Sequence, residues 1–384
     1  MRSIIGIDVS QKSSSFHLIG TGNKEGIDGS FSMDREGFES LLAQAGCTNT
    51  SRFVMESTGR YHITLAHFLL QKGHQTFIVN PVLVKQFSKA HTLRKTKTDK
   101  VDARTIARFA KSDTVAMDNT GRAMDDQRLS IARRREQVAE DVAKAKTHLK
   151  ADLTVAFPEI LSRDVFTMGM LRLLSRFPCA SSIEEATDEQ LQQALKGERG
   201  RGLSLTVAQL RELARDSIGL PSYGPLVADS VESLMFLNRK LDGLTEQLVT
   251  IVRQTQSEEM DIITSIHGIG DTTAAHFLTE IGSIDRFERY QNLIAFCGTD
   301  PGIYQSGTIT KRGKITKRGN ASLRKYLYLM GMGLIRCNPH FKAFYDKKRA
   351  EGFPHRKAMV ALMNKLIKTL FAMLKKKEKF IVQS

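Results

Sequence analysis

Four acidic residues in the first third of the chain have the chemistry and spacing to bind a divalent cation. Asp8 and Glu56 each end a short apolar run, whereas Asp99 and Asp102 lie three residues apart. A helix beginning near Asp99 would place both of its carboxylates on one face. Grouped carboxylates repel one another unless a hard cation neutralises them, and Mg²⁺ does so while activating phosphodiesters. The quartet predicts Mg²⁺-dependent phosphodiester chemistry at a two-metal site, with Mn²⁺ as the alternative ion.

Each acid also has an ordinary structural explanation. Asp8 could cap a turn, Glu56 could lie at the surface, and the Asp99/Asp102 pair could stabilise the positive end of a helix. The order of all four along the chain, each in a suitable strand or helix context, favours metal binding over these explanations.

The elements that must position the acids form an α/β pattern, which predicts a first domain over residues 1–115. Alternating and continuous apolar runs predict a mixed sheet with helices between its later strands. The strands are expected at Ser3–Val9, Ser14–Ile19, Phe31–Met33, Arg52–Glu56 and Gln75–Asn80. The helices are expected at Arg35–Ala45, with Asp34 as its cap, and at Ile63–Lys72 and Val101–Ala110.

Residues 116–260 change in character to long helices, with smaller helices between them. Arg128–Phe157 is almost free of Gly and Pro, and Leu226–Gln254 repeats apolar residues near heptad spacing. Two such helices form either an antiparallel hairpin or an intermolecular coiled coil. This region is expected to be a linker and assembly arm.

Residues 261–384 are expected to form a third, mainly helical domain. A Gly268-Ile269-Gly270 turn between two helices is either a simple connection or a phosphate site made of backbone amides. Helices are expected at Asn320–Ile335 and Arg356–Leu374, after a Gly/Pro-rich stretch that ends at Ser306-Gly307. By itself, a Ser before a Gly is usually a turn residue, and no general base can be assigned to Ser306 from spacing.

The charge of the chain is positive and unevenly distributed. The net charge is +16, of which residues 262–384 carry +14 from 22 Lys or Arg and 8 Asp or Glu. A basic region beside a nearly balanced one predicts a polyanionic partner. The expected nucleic-acid contacts are Lys95, Lys97, Arg104, Gly268, Gly270, Lys311, Arg312, Lys317 and Arg318.

Other classes of protein are disfavoured by the composition. The four cysteines are scattered without a CxxC or Cys/His cluster, so neither a zinc site nor a disulfide framework is expected. No signal peptide or membrane-length apolar run is evident. The sequence predicts a cytoplasmic protein in a reducing compartment that does not bind membranes.

Several motifs together resemble one family, the DEDD transposases of the insertion sequence one-ten type, which are related to the Piv invertases. The specific segments are Lys97-Thr98-Asp99-x-x-Asp102-Ala103-Arg104 and Ser306-Gly307 followed by Gly319-x-x-x-Leu323-Arg324. Ile7-Asp8-Val9, Glu56–Tyr61, the Gly268 turn and Ala295–Pro301 add to the match. The chain departs from the pattern at Thr299-Asp300, where an apolar residue is more usual.

The resemblance implies a RuvC-like (ribonuclease-H-like) N-terminal domain, a coiled-coil linker and a C-terminal transposase domain. Asp8, Glu56, Asp99 and Asp102 would bind Mg²⁺, and Ser306 matches the family's serine nucleophile, which forms a covalent phosphoserine link to DNA. Arg324 joins the expected nucleic-acid contacts. Some members are guided by a structured bridge RNA that pairs with donor and target DNA, and members assemble as dimers and tetramers.

Two rival functions remain open from the sequence. The first is a RuvC-like structure-selective endonuclease in which water attacks and Ser306 is only structural. The second is a non-enzymatic nucleic-acid-binding assembly protein whose acids are coincidental. Substitution of Ser306 tests the first rival, and substitution of Asp8 or Asp102 tests the second.

Overall fold

The computed structural model describes residues 3–20, 26–46, 51–56, 60–79, 81–91, 99–112, 127–196, 203–306, 309–315 and 319–381, with only the backbone at residues 82, 99–100, 301–306 and 309–314. The chain divides into two compact units, residues 1–126 and 127–384. The expected helical region and the expected transposase domain lie mainly within the second unit. The division of the sequence into three domains stays a prediction.

The first unit contains a five-stranded mixed sheet with the strand order β3-β2-β1-β4-β5. The first three strands are antiparallel, and β1, β4 and β5 run parallel. The strands are β1 (Ile4–Asp8), β2 (Ser13–Ile19), β3 (Ile27–Ser32), β4 (Arg52–Glu56) and β5 (Gln75–Val79). The helices are α1 (Arg35–Gln44), α2 (His62–Gln71), α3 (Pro81–His91) and α4 (Asp99–Ser112).

The strands of this unit are apolar on both faces because helices cover both. Ile5 and Ile7 of β1 pack in one cluster with Leu41 of α1 and Leu65 of α2. Ile4, one residue away from Ile5 and therefore on the opposite face, packs in a second cluster with residues of α3 and α4. The expected strands agree with β1, β2, β4 and β5 to within one residue at each end, whereas the third, expected at Phe31–Met33, begins earlier, at Ile27. The Asp34 cap is confirmed, since its carboxylate accepts a hydrogen bond from the Gly37 amide at 2.8 Å.

The second unit is mainly helical. Its helices are α5 (Gln127–Ala156), α6 (Met168–Arg176), α7 (Ala180–Glu185), α8 (Asp188–Leu195), α9 (Val207–Arg215), α10 (Gly224–Thr255), α11 (Ser257–Thr264), α12 (Asp271–Ile281), α13 (Tyr290–Cys297), α14 (Ala321–Cys337), α15 (Pro339–Ala350) and α16 (His355–Lys376). The strands β6 (Pro301–Ser306) and β7 (Ile309–Ile315) form an antiparallel hairpin.

The long helices α5 and α10 pack against each other as an antiparallel pair. Asp152, near the end of α5, accepts a hydrogen bond from Ser230 near the start of α10. At the opposite end, Arg128 donates to Thr255. The antiparallel alternative expected from the heptad spacing is therefore present within one chain, whereas an intermolecular coiled coil stays a prediction. Among the described helices, none combines the length and the apolar character that a bilayer crossing requires.

Apolar residues of the second unit form two clusters. One joins the facing halves of α5 and α10 to the small helices α6–α9. The other joins α11–α16 and the remaining ends of α5 and α10. This second cluster includes Ala132 of α5 and Leu323 of α14. The long helices α5 and α10, called the linker helices below, therefore share a core with α13 and α14, which flank β6 and β7.

Candidate active site

Asp8 and Glu56 end two neighbouring parallel strands. Ile7 is opposite Met55 in the β1–β4 ladder, so the two acids follow at the next position of each strand. Hydrogen-bonded strands lie about 4.8 Å apart, and both acids are partly exposed. The expected placement of both carboxylates at strand ends is confirmed.

Asp8 lies on the sheet face that helix α4 covers. Residues two apart on a strand share a face, which groups Asp8 with Gly6. A Cβ atom on Gly6 would lie 2.4 Å from the amide nitrogen of Ala107 and 2.5 Å from the carbonyl oxygen of Ala103. The backbone of α4 therefore crosses β1 directly over Gly6, two residues before Asp8.

Glu56 lies on the same face by the same alternation. It shares a face with Val54, which packs in one apolar cluster with Ile106 of α4. Met55, between them, belongs to the cluster on the opposite face. Helix α4 thus covers the two strands whose ends carry Asp8 and Glu56.

Asp99 and Asp102 lie in the first turn of α4, as the sequence predicts. They precede the buried residues Ala103 and Ile106 by four positions each, so their backbone positions lie on the side of the helix that faces the sheet. Asp102 is partly exposed, and the side chain of Asp99 lies outside the described residues. Among the described side chains, no three His, Cys, Asp or Glu groups are already arranged to hold a metal ion.

Arg104 joins α4 to the antiparallel part of the sheet. Its guanidinium donates two hydrogen bonds to the Asp28 carboxylate on β3, of which the Nε–Oδ1 bond is 3.1 Å. Nδ1 of His17 lies 2.7 Å from the same Asp28 oxygen. The hydrogen bond from Arg104 is the main reason that the pKa of Asp28 falls to about 2. Arg104 therefore has a structural partner, and its expected contact with nucleic acid stays a prediction.

Ser306 is the last residue of β6, at the turn of the hairpin. It pairs with Ile309 of β7, and Tyr304 pairs with Lys311. The side chains of this hairpin lie outside the described residues, so the role of Ser306 as a nucleophile stays a prediction. The sequence indicates only a Gly/Pro-rich stretch here; in the structure its backbone forms a strand because it pairs with the segment that follows.

Two glycines close the base of this hairpin. Gly298 ends α13 with a φ of +68°, and a Cβ on it would lie 2.6 Å from the amide nitrogen of Gly319. Arg324 bridges the two sides, since its Nη1 donates to the carbonyl oxygens of Cys297 and Gly319, both at 2.9 Å. Arg324 thus holds the base of the hairpin together, and its expected contact with nucleic acid is untested.

Thr299, where the chain departs from the family pattern, is fully buried. Its hydroxyl lies 2.7 Å from Oδ1 of Asn364 on α16, and the Asn364 amide donates to the Thr299 carbonyl at 3.4 Å. A buried polar side chain needs such a partner. The polar residue is accommodated by Asn364, which anchors the start of the hairpin segment to α16.

The Gly268 turn connects α11 and α12, which confirms the expected helix–turn–helix arrangement. Gly268 has a φ of +103°, and a Cβ on it would lie 2.9 Å from the carbonyl oxygen of Gly333 on α14. Gly270 instead has open space around its Cα atom. The need for glycine at position 268 is explained by packing, and phosphate binding by the turn stays a prediction.

The remaining expected nucleic-acid contacts cannot be placed as side chains. Lys95, Lys97, Lys317 and Arg318 lie outside the described residues. Lys311 and Arg312 lie on β7 opposite Tyr304 and Ile303, and only their backbone is described.

Sequence reasoning missed residues that act through distant partners. Asp28 binds Arg104 76 positions away, Asn364 binds Thr299 65 positions away, and Glu280 binds Asn320 40 positions away. Polar residues within apolar helical stretches, such as Glu280 and Asn364, are a weak signal of this kind, but the signal does not identify the partner.

Two protein-family models match the chain. The DEDD_Tnp_IS110 model, described as a transposase, matches residues 5–158. A model described as the transposase IS116/IS110/IS902 family matches residues 260–346. The first match includes the four acids, and the second includes the Gly268 turn and the Ser306 hairpin.

Individual relatives cover most of the chain at low identity. The pilin gene-inverting protein of Moraxella bovis is 22% identical over 385 residues, covering 99% of this chain and 98% of the relative. The insertion element IS116 uncharacterized 44.8 kDa protein of Streptomyces clavuligerus is 25% identical over 338 residues, covering 86% and 84%. The insertion element IS110 uncharacterized 43.6 kDa protein of Streptomyces coelicolor is 23% identical over 292 residues, covering 73% and 71%.

Proposed function

Because the chain belongs to the IS110-type transposase family, we propose that it cuts and rejoins DNA through a covalent phosphoserine intermediate. The observation that carries this proposal is the common face of Asp8, Glu56 and helix α4 at the end of a mixed sheet. Such a grouping of acids on rigid elements suits chemistry at a phosphodiester. Ser306 supplies the attacking group.

The first unit is proposed to have a RuvC-like, ribonuclease-H-like fold. Its support is the strand order β3-β2-β1-β4-β5, with an antiparallel β1–β3 meander and parallel β4 and β5. The acid on the central strand, the acid on its parallel neighbour and the pair on the covering helix occupy positions that suit such a site.

The donor set suits a hard divalent cation. Asp8, Glu56, Asp99 and Asp102 offer only carboxylate oxygens, which Mg²⁺ and Mn²⁺ prefer. When bound, the cation would polarise the scissile phosphate and lower the pKa of a nearby hydroxyl. Asp8 and Glu56 would be fixed by the strand ends, whereas Asp99 and Asp102 would depend on the seating of α4 over Gly6.

Ser306 is proposed to carry the strand during exchange. Its Oγ would attack phosphorus and form an Oγ–P bond, while the bond from phosphorus to one strand oxygen breaks and that oxygen leaves with a proton as a hydroxyl. A hydroxyl of the new strand then attacks the same phosphorus, restoring the serine hydroxyl. Because each step exchanges one phosphodiester for another, rejoining needs no ATP.

DNA and a structured guide RNA are the proposed partners, and a dimer or tetramer is the proposed assembly. Support comes from the family resemblance and from the net charge of +14 on residues 262–384, since a basic region binds a polyanion. Sequencing of RNA that copurifies with the chain, and loss of strand joining after ribonuclease treatment, would test guidance. Joining that is unaffected by ribonuclease would contradict it.

The function is tested by strand joining in purified components. The assay combines the protein, Mg²⁺, RNA transcribed from the non-coding DNA beside its gene, and DNA duplexes that carry the ends of the mobile element. These components should give joined products. Asp8→Asn and Ser306→Ala should each abolish joining while retaining DNA binding. Cleavage without joining that survives Ser306→Ala would identify a water-using nuclease. DNA binding with neither cleavage nor joining, equal in the parent chain and both variants, would identify a binding protein.

A further inference from the structure

A buried carboxylate lies beside the base of the Ser306 hairpin. The side chain of Glu280, on α12, is only 2% exposed. Its Oε1 lies 2.8 Å from Nη1 of Arg133 on α5, and its Oε2 accepts hydrogen bonds from Arg133 Nη2 at 3.0 Å and from Asn320 Nδ2 at 2.6 Å. The carboxylate therefore joins the linker helix to the residue that follows the hairpin segment.

Asn320 is the point where the hairpin segment returns to the helical core. Its Oδ1 accepts a hydrogen bond from the Leu323 amide at 3.0 Å and so caps α14. Its backbone amide donates to the Phe296 carbonyl at 2.8 Å, across the base of the hairpin. With its Nδ2 held by Glu280, both ends of the Asn320 amide group are fixed.

Helix α5 also contacts the first turn of α14 directly. Glu136, one turn after Arg133, lies 3.1 Å from it as an ion pair and accepts a hydrogen bond from Ser322 Oγ at 2.7 Å. Arg133 thus reaches the Asn320 end of α14 through Glu280, and Glu136 reaches it through Ser322. Both residues of α5 are charged, and their hydrogen bonds require a definite orientation of this helix.

Net stability does not explain this arrangement well. Burying a carboxylate and a guanidinium is costly, and such a pair is often no more stabilising than apolar residues of similar volume. A hydrogen-bonded pair does, however, fix geometry more closely than apolar packing does.

We propose that Glu280 is a positioning residue that fixes Asn320, and with it the Ser306 hairpin, against the linker helix α5. This inference rests on the proposed function of Ser306. It assigns to Glu280 no contact with DNA or with the reacting atoms. Its effect should therefore appear in the rate of the covalent step and in the order of the hairpin, with little change in DNA affinity.

A reciprocal exchange of donor and acceptor tests the proposal. Asn320→Asp retains the oxygen that caps α14 but turns an oxygen toward Glu280 in place of the amide donor. Glu280→Gln in the Asn320→Asp background restores one donor and one acceptor with the direction of the hydrogen bond reversed. Asn238→Asp, at a partly exposed position of α10, is the matched control for the change in charge.

The main measurement is the rate of covalent protein–DNA adduct formation at saturating DNA. We expect Asn320→Asp to slow it by about 10-fold or more, because small misplacements of a reacting group cost one to two orders of magnitude. The double variant should recover to within about 3-fold of the parent chain, and Asn238→Asp should match the parent. DNA affinity should change by less than about 2-fold in all of them.

Two outcomes would overturn the proposal. One is an Asn320→Asp variant with the parental rate, and the other is a defect that the second substitution does not relieve. A common fall in thermal stability and rate would likewise assign Glu280 a structural role only.

Amide hydrogen exchange gives a readout that does not depend on activity. Residues 301–306 and 309–315 should exchange faster in Asn320→Asp and recover in the double variant; unchanged exchange would contradict the inference. If the parent chain forms no adduct, the proposed role of Ser306 fails, whereas exchange still reports whether Glu280 orders the hairpin.

Discussion

Gly6 of the central strand and Ala107 of helix α4 are in direct backbone contact. A Cβ atom at position 6 would lie 2.4 Å from the Ala107 amide nitrogen, a separation that real Cβ atoms essentially never show. The glycine lets α4 lie close to the sheet, and Asp99 and Asp102 lie on the side of this helix that faces the strands carrying Asp8 and Glu56.

Gly6→Ala should therefore displace α4. We expect a loss of about 1–3 kcal/mol in the free energy of unfolding, typical of overpacking, together with a loss of strand joining. Gly20→Ala is the matched control, because no atom lies within 4 Å of a Cβ at that position. Denaturant unfolding of the two variants makes the comparison, and equal stability would contradict the close contact.

Neutralising the carboxylates should abolish chemistry without abolishing binding. Asp8→Asn, Glu56→Gln and Asp102→Asn each replace a negatively charged carboxylate by a neutral amide. We expect joining rates to fall by about 100-fold or more, as with other preorganised electrostatic groups. Asp242→Asn, at an exposed position of α10, should have no effect. Joining assays together with DNA affinities check this, and full activity in the three variants would contradict a carboxylate site.

Variants of the Arg104–Asp28 ion pair distinguish a structural role of Arg104 from a contact with nucleic acid. If Arg104 mainly holds α4 on the sheet, Arg104→Met and Asp28→Asn should both lower stability, with the larger loss for Asp28→Asn because Asp28 also contacts His17. The double variant should be no less stable than Asp28→Asn alone. The salt dependence of DNA binding should then be unchanged. A salt slope reduced by about one in Arg104→Met alone would instead indicate a phosphate contact.

Buried His276 should make the second unit sensitive to acid. It stacks on Tyr326 with ring centroids 3.7 Å apart, and neither ring nitrogen has a hydrogen-bond partner among the described residues. Burial, with nearby Arg135, Lys325 and Arg133, lowers the pKa of His276 from 6.5 to about 3. Below pH 6.5 the unfolded chain therefore takes up a proton that the folded chain does not.

The stability contribution of neutral His276 should fall by up to about 1.4 kcal/mol per pH unit between pH 6.5 and pH 3. His276→Phe retains a flat ring against Tyr326 and removes the titrating group. Denaturant titration at several pH values gives the unfolding free energy of the parent and of this variant. The parent should lose stability relative to the variant as the pH falls from 6.5 to 3. A difference that is independent of pH would contradict the buried, neutral state of His276.

Local patterns in the sequence predict the carboxylate part of the candidate site well. Asp8 and Glu56 follow apolar runs that form strands, and the Asp99 pair begins a helix as its spacing indicates. These features depend on neighbours within a few positions. The common face of the acids then follows from strand alternation once β1 and β4 are paired.

Features that depend on distant partners could not be predicted. The β6–β7 hairpin was not predicted, because the glycines and Pro301 of this stretch indicate no strand and the pairing depends on the complementary segment. Strand β5 ends before Pro81, in agreement with the expected strand, but helix α3 was not expected. Pro81 is its first residue, a position where proline's fixed φ is favourable. Helix α15 was not expected, although Asn338 caps it through the Phe341 amide.

The central claim is that Ser306 becomes covalently attached to DNA. The direct measurement is mass spectrometry of the protein–DNA adduct after digestion, with Tyr304→Phe as the control for the neighbouring hydroxyl. We expect a phosphodiester-linked nucleotide on Ser306 in the parent chain and in Tyr304→Phe, and no adduct in Ser306→Ala. Strand cleavage by the parent chain with no adduct, or an adduct that persists in Ser306→Ala, would contradict it.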